Sequence, residues 1–335
     1  MAARQSAGPP PGSAVCGTVR LAARVDTFIQ LTLNGLTLGS VYALIALGYS
    51  LVYGILKLLN FAHGDVFMVG SYIGFGMLQL LGGPTDLVVP LWLALILITL
   101  VAMAGCAGLG VAIERFAYRP LRNAPRIAPL ISALGVSFFL AYSMQLLFGA
   151  QYRDYDLFDV PGNPLFLHGF HIHQTFISLV RVIIVVAAFA LCIALWFLVN
   201  KTRTGKAMRA TSFDREAAAM MGIDIDRVIV FTFILGSALA GAAGVLFALR
   251  VPTQVSLGFV AGLKGFTAAV IGGIGSVPGA MVGGLILGMA ESYTSGYWPG
   301  SAGTRWTDLI IFLILIVFMI FRPQGLFGRP DIKKV

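Results

Sequence analysis

The chain has 335 residues, of which 58% are hydrophobic and only 11% charged, with a mean hydropathy of +0.89 and a formal net charge of +9. Soluble domains carry about 25% charged residues, so this composition excludes a soluble enzyme and defines a polytopic integral membrane protein. The basic residues lie in loops and at the termini, so the charge reports topology, and no nucleic-acid partner is expected. The lipid bilayer is the first partner implied.

The first 26 residues carry GPPPG at positions 8–12 with Arg20 and Arg24 near their end. They lack the apolar centre of a secretory signal and read as a disordered, uncleaved extension. Residues 27–335 form the membrane domain. Apolar segments follow at about 28–53, 61–82, 88–113, 128–149, 178–199, 228–249, 257–275, 278–292 and 308–321. Since a helix satisfies its own backbone polar groups in hydrocarbon, the fold class is an all-α bundle of about 8–9 transmembrane helices.

Three stretches are rich in Lys and Arg: the loop 114–126, the segment 201–227 and the tail after Arg322. All three are assigned to the cytoplasm. The loop 150–177 carries Asp154, Asp156 and Asp159 and faces outside. Parity then requires two passes between residues 258 and 289, with the break at the turn GGIGSVPG, residues 272–279. Counting back from Glu114 puts the start of the chain outside, although a break at Gly48 would change the count by one. Segments 28–149 and 228–321 then run in opposite senses, the relation of an inverted repeat. Its sequence echoes are Gly39-Ser40 against Gly236-Ser237, and the interruptions around Asn60 and Gly265.

Within 201–227, Phe213, Ala217, Met220 and Met221 recur on one helical face, which predicts a short amphipathic helix over 213–222. Thr211 or Ser212 would cap its start and Gly222 its end. Such a helix is only about 14 Å long, so its apolar stripe needs a partner, either the chain's own membrane domain or another protein. Lys201, Arg203, Lys206 and Arg209 read as orientation anchors.

Glycines four apart (Gly35 and Gly39, Gly70 and Gly74, Gly279 and Gly283, Gly284 and Gly288) predict close helix packing. The stretch 60–65, with Asn60, Phe61, His63 and Asp65, interrupts the apolar pattern. It reads either as a solvated cytoplasmic turn or as a gate or lining element at the inner end of a pathway, together with Phe266 and Thr267. Glu114, Glu291 and Asp308 sit at span ends and read as solvated, and no carboxylate is placed clearly near the midplane. His168, His171 and His173 fit an exposed β-hairpin better than a zinc site, for want of further ligands. Cys16, Cys106 and Cys192 are far apart and give no disulfide or metal spacing. No metal and no catalytic residue is predicted.

No phosphate-cradling G-x-x-x-x-G-K-[ST] occurs, the only Gly-Lys pair, Gly205-Lys206, being followed by Ala207. The chain is therefore not expected to be an enzyme or to bind a cofactor itself. Residues 216–222, EAAAMMG, match the start of the coupling motif of ABC importer permeases, although Thr232-Phe-Ile-Leu stands where the motif continues I-x-L-P. Residues 34–72, IERFAYRPLR at 113–122, MGIDIDRVI at 221–229, residues 263–291 and RPQGLFGRP at 322–330 closely resemble LivH-type permease subunits of branched-chain amino-acid ABC importers.

The resemblance implies half of a translocation pathway in a bacterial inner membrane. The implied partners are a second, paralogous permease subunit, two cytoplasmic ATPases that bind the ATP, and an external substrate-binding protein. It assigns ATPase docking to Phe213, Asp214, Arg215, Glu216, Ala217, Met220, Met221 and Gly222. Leucine, isoleucine and valine are the implied substrates. Urea or short amides are the alternative within the wider family, and an ion-coupled secondary transporter is the alternative outside it.

Overall fold

The structure, a computed structural model, describes residues 13–84, 87–122, 124–125, 127–155, 169–172, 175–297 and 302–328. Residues 1–12 of the expected extension, and His168 and His173, lie outside the described residues. Eleven helices are present among the described residues: α1 (Ser13–Leu56), α2 (His63–Leu80), α3 (Leu91–Ile113), α4 (Ile127–Phe148), α5 (Leu179–Lys201), α6 (Arg203–Phe213), α7 (Arg215–Met220), α8 (Ile225–Ala248), α9 (Leu257–Gly272), α10 (Val277–Tyr297) and α11 (Ala302–Phe321). Before α5 stands the expected hairpin, β1 (Gly169–Ile172) pairing antiparallel with β2 (Thr175–Ser178). Stretches Val25–Leu56, Leu91–Leu121, Ile127–Phe148, Leu179–Lys201 and Ile225–Ala248 are long and apolar enough to cross a membrane.

Helix α1 runs through Gly48 without a break, and the turn after α9 falls where glycine and proline predicted it, with Gly273 and Gly275 at positive φ. The helices sort into a core and a shell. The apolar windows of α1 and α8 are 83% and 72% buried, whereas those of α4 and α5 are 17% and 28% buried. The exposed faces of α4 and α5, with Phe138, Phe139, Val186 and Phe197, suit lipid or another chain equally.

Lipid tails are as apolar as leucine, so the core helices cannot be joined by the hydrophobic effect alone; close backbone approach supplies dispersion instead. On α1, Gly35 and Gly39 face Gly284, Leu285, Gly288 and Met289 of α10, so tightly that a Cβ added at Gly288 would stand 2.2 Å from the Gly39 nitrogen. Helix α8 meets α3 in the same manner: a Cβ at Gly241 would stand 2.6 Å from the Ala102 carbonyl oxygen, and one at Gly110 would stand 2.3 Å from Ser237 Oγ. The first helix of each half thus lies on the third helix of the other, and α1 and α8 also pack on each other. These reciprocal contacts are those that two related halves would make.

At the cytoplasmic end, α3 continues into a π-helical turn (Glu114–Tyr118) and a 3-10 turn (Arg119–Leu121). Arg122 bridges Glu114 and Asp226, the latter at the start of α8, and Arg119 reaches Asp226 at 3.0 Å. Contrary to expectation, Glu114 is not solvated: its side chain is 1% exposed, because the chain folds back to bring Arg122 over it. The tail behaves similarly, with Leu326 and Phe327 amides donating to the Ile271 and Gly272 carbonyls at 2.9 and 3.0 Å. These carbonyls close α9, which has no further residues of its own to satisfy them.

Candidate functional site

The segment predicted as one helix over 213–222 is two. Helix α6 ends at Phe213, Asp214 is extended, and α7 starts at Arg215. Asp214 is the reason, since its Oδ1 accepts from the amides of Glu216 and Ala217, both at 3.1 Å, and so caps α7. Thr211 and Ser212 do not cap it; their hydroxyls donate back to the Ala207 and Arg209 carbonyls inside α6. The end falls as expected at Gly222, whose φ is +83°, a conformation glycine adopts without strain.

Phe213, Met220 and Met221 are 84%, 82% and 83% exposed, and Ala217 and Glu216 are also exposed. Only Ala218 on α7 is buried. The apolar stripe is therefore not folded against the chain's own bundle. Arg215 is an exception among the charges: its Nε donates to the Ile55 carbonyl at 3.2 Å, one of the last carbonyls of α1 that no helical amide reaches. Burial first, and then the nearby Arg122 charge, lowers its pKa below the ordinary arginine value. The segment is thus tied to the C-terminal end of α1.

Residues 60–65 are enclosed rather than solvated. Asn60, His63 and Asp65 are 3%, 1% and 2% exposed. Their position follows from glycine: Gly64 allows α2 to begin against Gly258 and Gly262 of α9, leaving no room for a side chain. Ser137 donates to Asp65 from the middle of α4, which puts this carboxylate deep in the bundle, where the sequence placed none. Tyr118 donates to Asn60 Oδ1 at 3.2 Å. The pairing of this stretch with Phe266 and Thr267 holds in space through Tyr49, whose ring lies 4.7 Å from His63 and 6.1 Å from Phe266. Thr267 is fully buried, its hydroxyl donating to the Leu263 carbonyl at 2.9 Å, while Phe61 and Phe266 are half-buried.

Sequence reasoning missed a polar cluster in the outer half of the bundle. Lys264 of α9 donates to Glu291 of α10 at 2.7 Å and pairs with Asp308 of α11 at 3.0 Å. Tyr42 of α1 donates to the other Glu291 oxygen at 2.8 Å. Glu291 and Asp308 are therefore ion-paired and not simply solvated. The signal was available: an ammonium in the middle of an apolar helix is costly unless paired, and Lys264 stands alone in LGFVAGLKGFTAAVIG.

A bundle of apolar helices with ion pairs held between them and an exposed apolar knob at its Lys/Arg-rich end fits a membrane transport protein. Residues 31–319 match the family described as the permease component of the branched-chain amino acid transport system, and the chain belongs to that family. The high-affinity branched-chain amino acid transport system permease protein LivH of Escherichia coli (strain K12) is 41% identical over 312 residues, covering 92% of this chain and 98% of that one. The corresponding protein BraD of Pseudomonas aeruginosa is 40% identical over 309 residues, with the same coverage of 92% and 98%. The probable LivH of Methanocaldococcus jannaschii is 30% identical over 311 residues, covering 87% and 90%.

Proposed function

We propose that this chain is a permease subunit of an ABC importer in the bacterial inner membrane and forms half of the pathway for leucine, isoleucine and valine. A second permease subunit completes the pathway, two cytoplasmic ATPases drive it, and an external binding protein supplies substrate. The observation that carries the reading is the exposed stripe of Phe213, Ala217, Met220 and Met221 on a segment that Arg215 ties to α1. Exposed aromatic and methionine side chains at the cytoplasmic end, away from lipid, need a protein groove. Around them, Asp214 fixes the start of α7, Arg215 holds α1, and Glu216 stands free to orient the partner. ATP binding is assigned to the partners, since the chain has no phosphate-binding loop.

A charge at Met220 is expected to abolish co-purification of the ATPases while leaving the permease in the membrane, because burying an unpaired carboxylate in an apolar groove is costly. Normal co-purification of Met220→Glu would overturn the docking assignment. Substrate is tested by uptake of labelled leucine against labelled urea in a strain deleted for this chain. Restoration of urea uptake without leucine uptake would refute the branched-chain reading.

A further inference from the structure

A cleft of about 360 Å³ opens between α1, the α8–α9 connection, α9 and α10. Its volume is within the range of roughly 300–1,000 Å³ typical of small-molecule sites. Its lining includes aliphatic side chains, Leu38, Val251, Leu257 and Val260, and carries Tyr42, Arg250, Lys264 and Glu291 among them. An aliphatic lining interspersed with charges of both signs is not a surface for lipid tails or for a bare ion.

The charges lining the cleft are not balanced pair by pair. Lys264 is held between two carboxylates, Glu291 and Asp308. Arg250 has no carboxylate within bonding distance among the described residues; its Nη2 donates to the Asn34 amide oxygen at 3.2 Å, and its Nη1 is buried without a partner. Arg181, at the start of α5, also has a buried Nη1 without a partner, and its charge bears on Arg250. The Glu291 carboxylate acts on Arg250 without bonding it, so one guanidinium nitrogen stays buried and unpaired, and a carboxylate is the group whose geometry relieves it. Glu291 accepts one hydrogen bond on each oxygen, from Tyr42 and from Lys264, and so retains acceptor capacity for an ammonium group.

We propose that this cleft is a substrate subsite within the permease itself, taking a zwitterionic amino acid with an aliphatic side chain: its carboxylate meets Arg250, its ammonium meets Glu291, and its side chain lies on Val251, Leu257 and Val260. The inference rests on the branched-chain reading given above and adds to it a site of selection inside the membrane domain. The permease then reads the amino-acid headgroup a second time, after release from the external protein. Lys264 acts as a positioning residue, holding one Glu291 oxygen within the cleft.

The test is equilibrium binding of labelled leucine to the assembled complex of permease subunits and ATPases, purified without the external binding protein. Leucinamide, which lacks the carboxylate, and 4-methylpentanoate, which lacks the ammonium, serve as competitors. Leucine is expected to bind, with each competitor at least about tenfold weaker, the range of a lost charge-assisted contact. Arg250→Gln is expected to weaken leucine at least about tenfold and to erase its advantage over leucinamide. Val260→Trp, at a position 45% exposed, is expected to fill the cleft and remove binding while the subunits still co-purify. Wild-type affinity in a co-purifying Arg250→Gln complex, or in the Val260→Trp complex, would overturn the subsite, as would equal binding of leucine and leucinamide. Failure of the complete importer, binding protein included, to take up leucine would overturn the branched-chain reading instead; leucine uptake with no Arg250-dependent binding would overturn only the subsite.

Discussion

Arg122 and Arg119 both pair with Asp226, yet they occupy different environments and should behave differently. Arg119 and Asp226 are each about half exposed, and an exposed pair contributes under about 1 kcal/mol. Arg122 also covers Glu114, whose side chain is 1% exposed. Arg122→Ala leaves that carboxylate buried and alone, at a cost of about 3–5 kcal/mol. Thermal unfolding in detergent is expected to show a large loss for Arg122→Ala, little for Arg119→Ala, and partial recovery on adding Glu114→Gln. Similar losses for both arginines would contradict the assignment. At α7, Asp214→Ala removes the cap and should cost about 1 kcal/mol, while Gly222→Ala adds about 1–2 kcal/mol of left-handed strain. Hydrogen exchange over residues 215–222 should accelerate in both, and unchanged protection would show that the cap is dispensable. Which charges were buried was the least legible feature of the sequence. Glu114 and Glu291 sit at predicted span ends, where solvation is the default, and only the return of distant residues, Arg122 and Lys264, makes them interior.

At the scale of elements, the helices themselves were legible because apolar runs and their Gly/Pro breaks are local signals. The division of residues 213–222 at Asp214 was not, since the spacing of Phe213 and Ala217 fits a continuous helix and the cap competes with it only through Asp214 itself. Glycine spacing gave the packing faces but not their partners. Those partners support a paired prediction. Gly288→Leu on α10 and Gly241→Leu on α8 each drive a side chain into backbone, of α1 and α3 respectively. Overpacking costs about 1–3 kcal/mol or more where nothing can yield, so both variants are expected to lower the unfolding midpoint. Gly76→Leu and Gly108→Leu, where an added Cβ meets nothing within 4 Å, should not. A tolerant Gly241→Leu would show that the two crossings are not equivalent.

At the scale of the whole molecule, the basic stretches and the acidic loop 150–177 oriented the bundle, and parity forced two passes between residues 258 and 289. The inverted relation then followed from counting, with almost no help from residue identity, because a repeat can keep its contacts while its side chains diverge. The contacts show what counting could not: each half lends its first helix to the other half's third. Neither half can bury its glycine faces alone, so the two halves form one packing unit.

The tie between Arg215 and the end of α1 has a mechanical consequence. Helix α1 is unbroken from Ile55, where Arg215 holds it, to Tyr42, where it holds Glu291. The thirteen helical rises between them span about 20 Å. A hydrogen-bonded helix is stiff along its axis, so an axial displacement at the cytoplasmic end reaches Tyr42 with little loss. The end of α1 held by the proposed docking segment and the charged cluster at Tyr42 therefore lie on one strut, and neither can shift along it without moving the other.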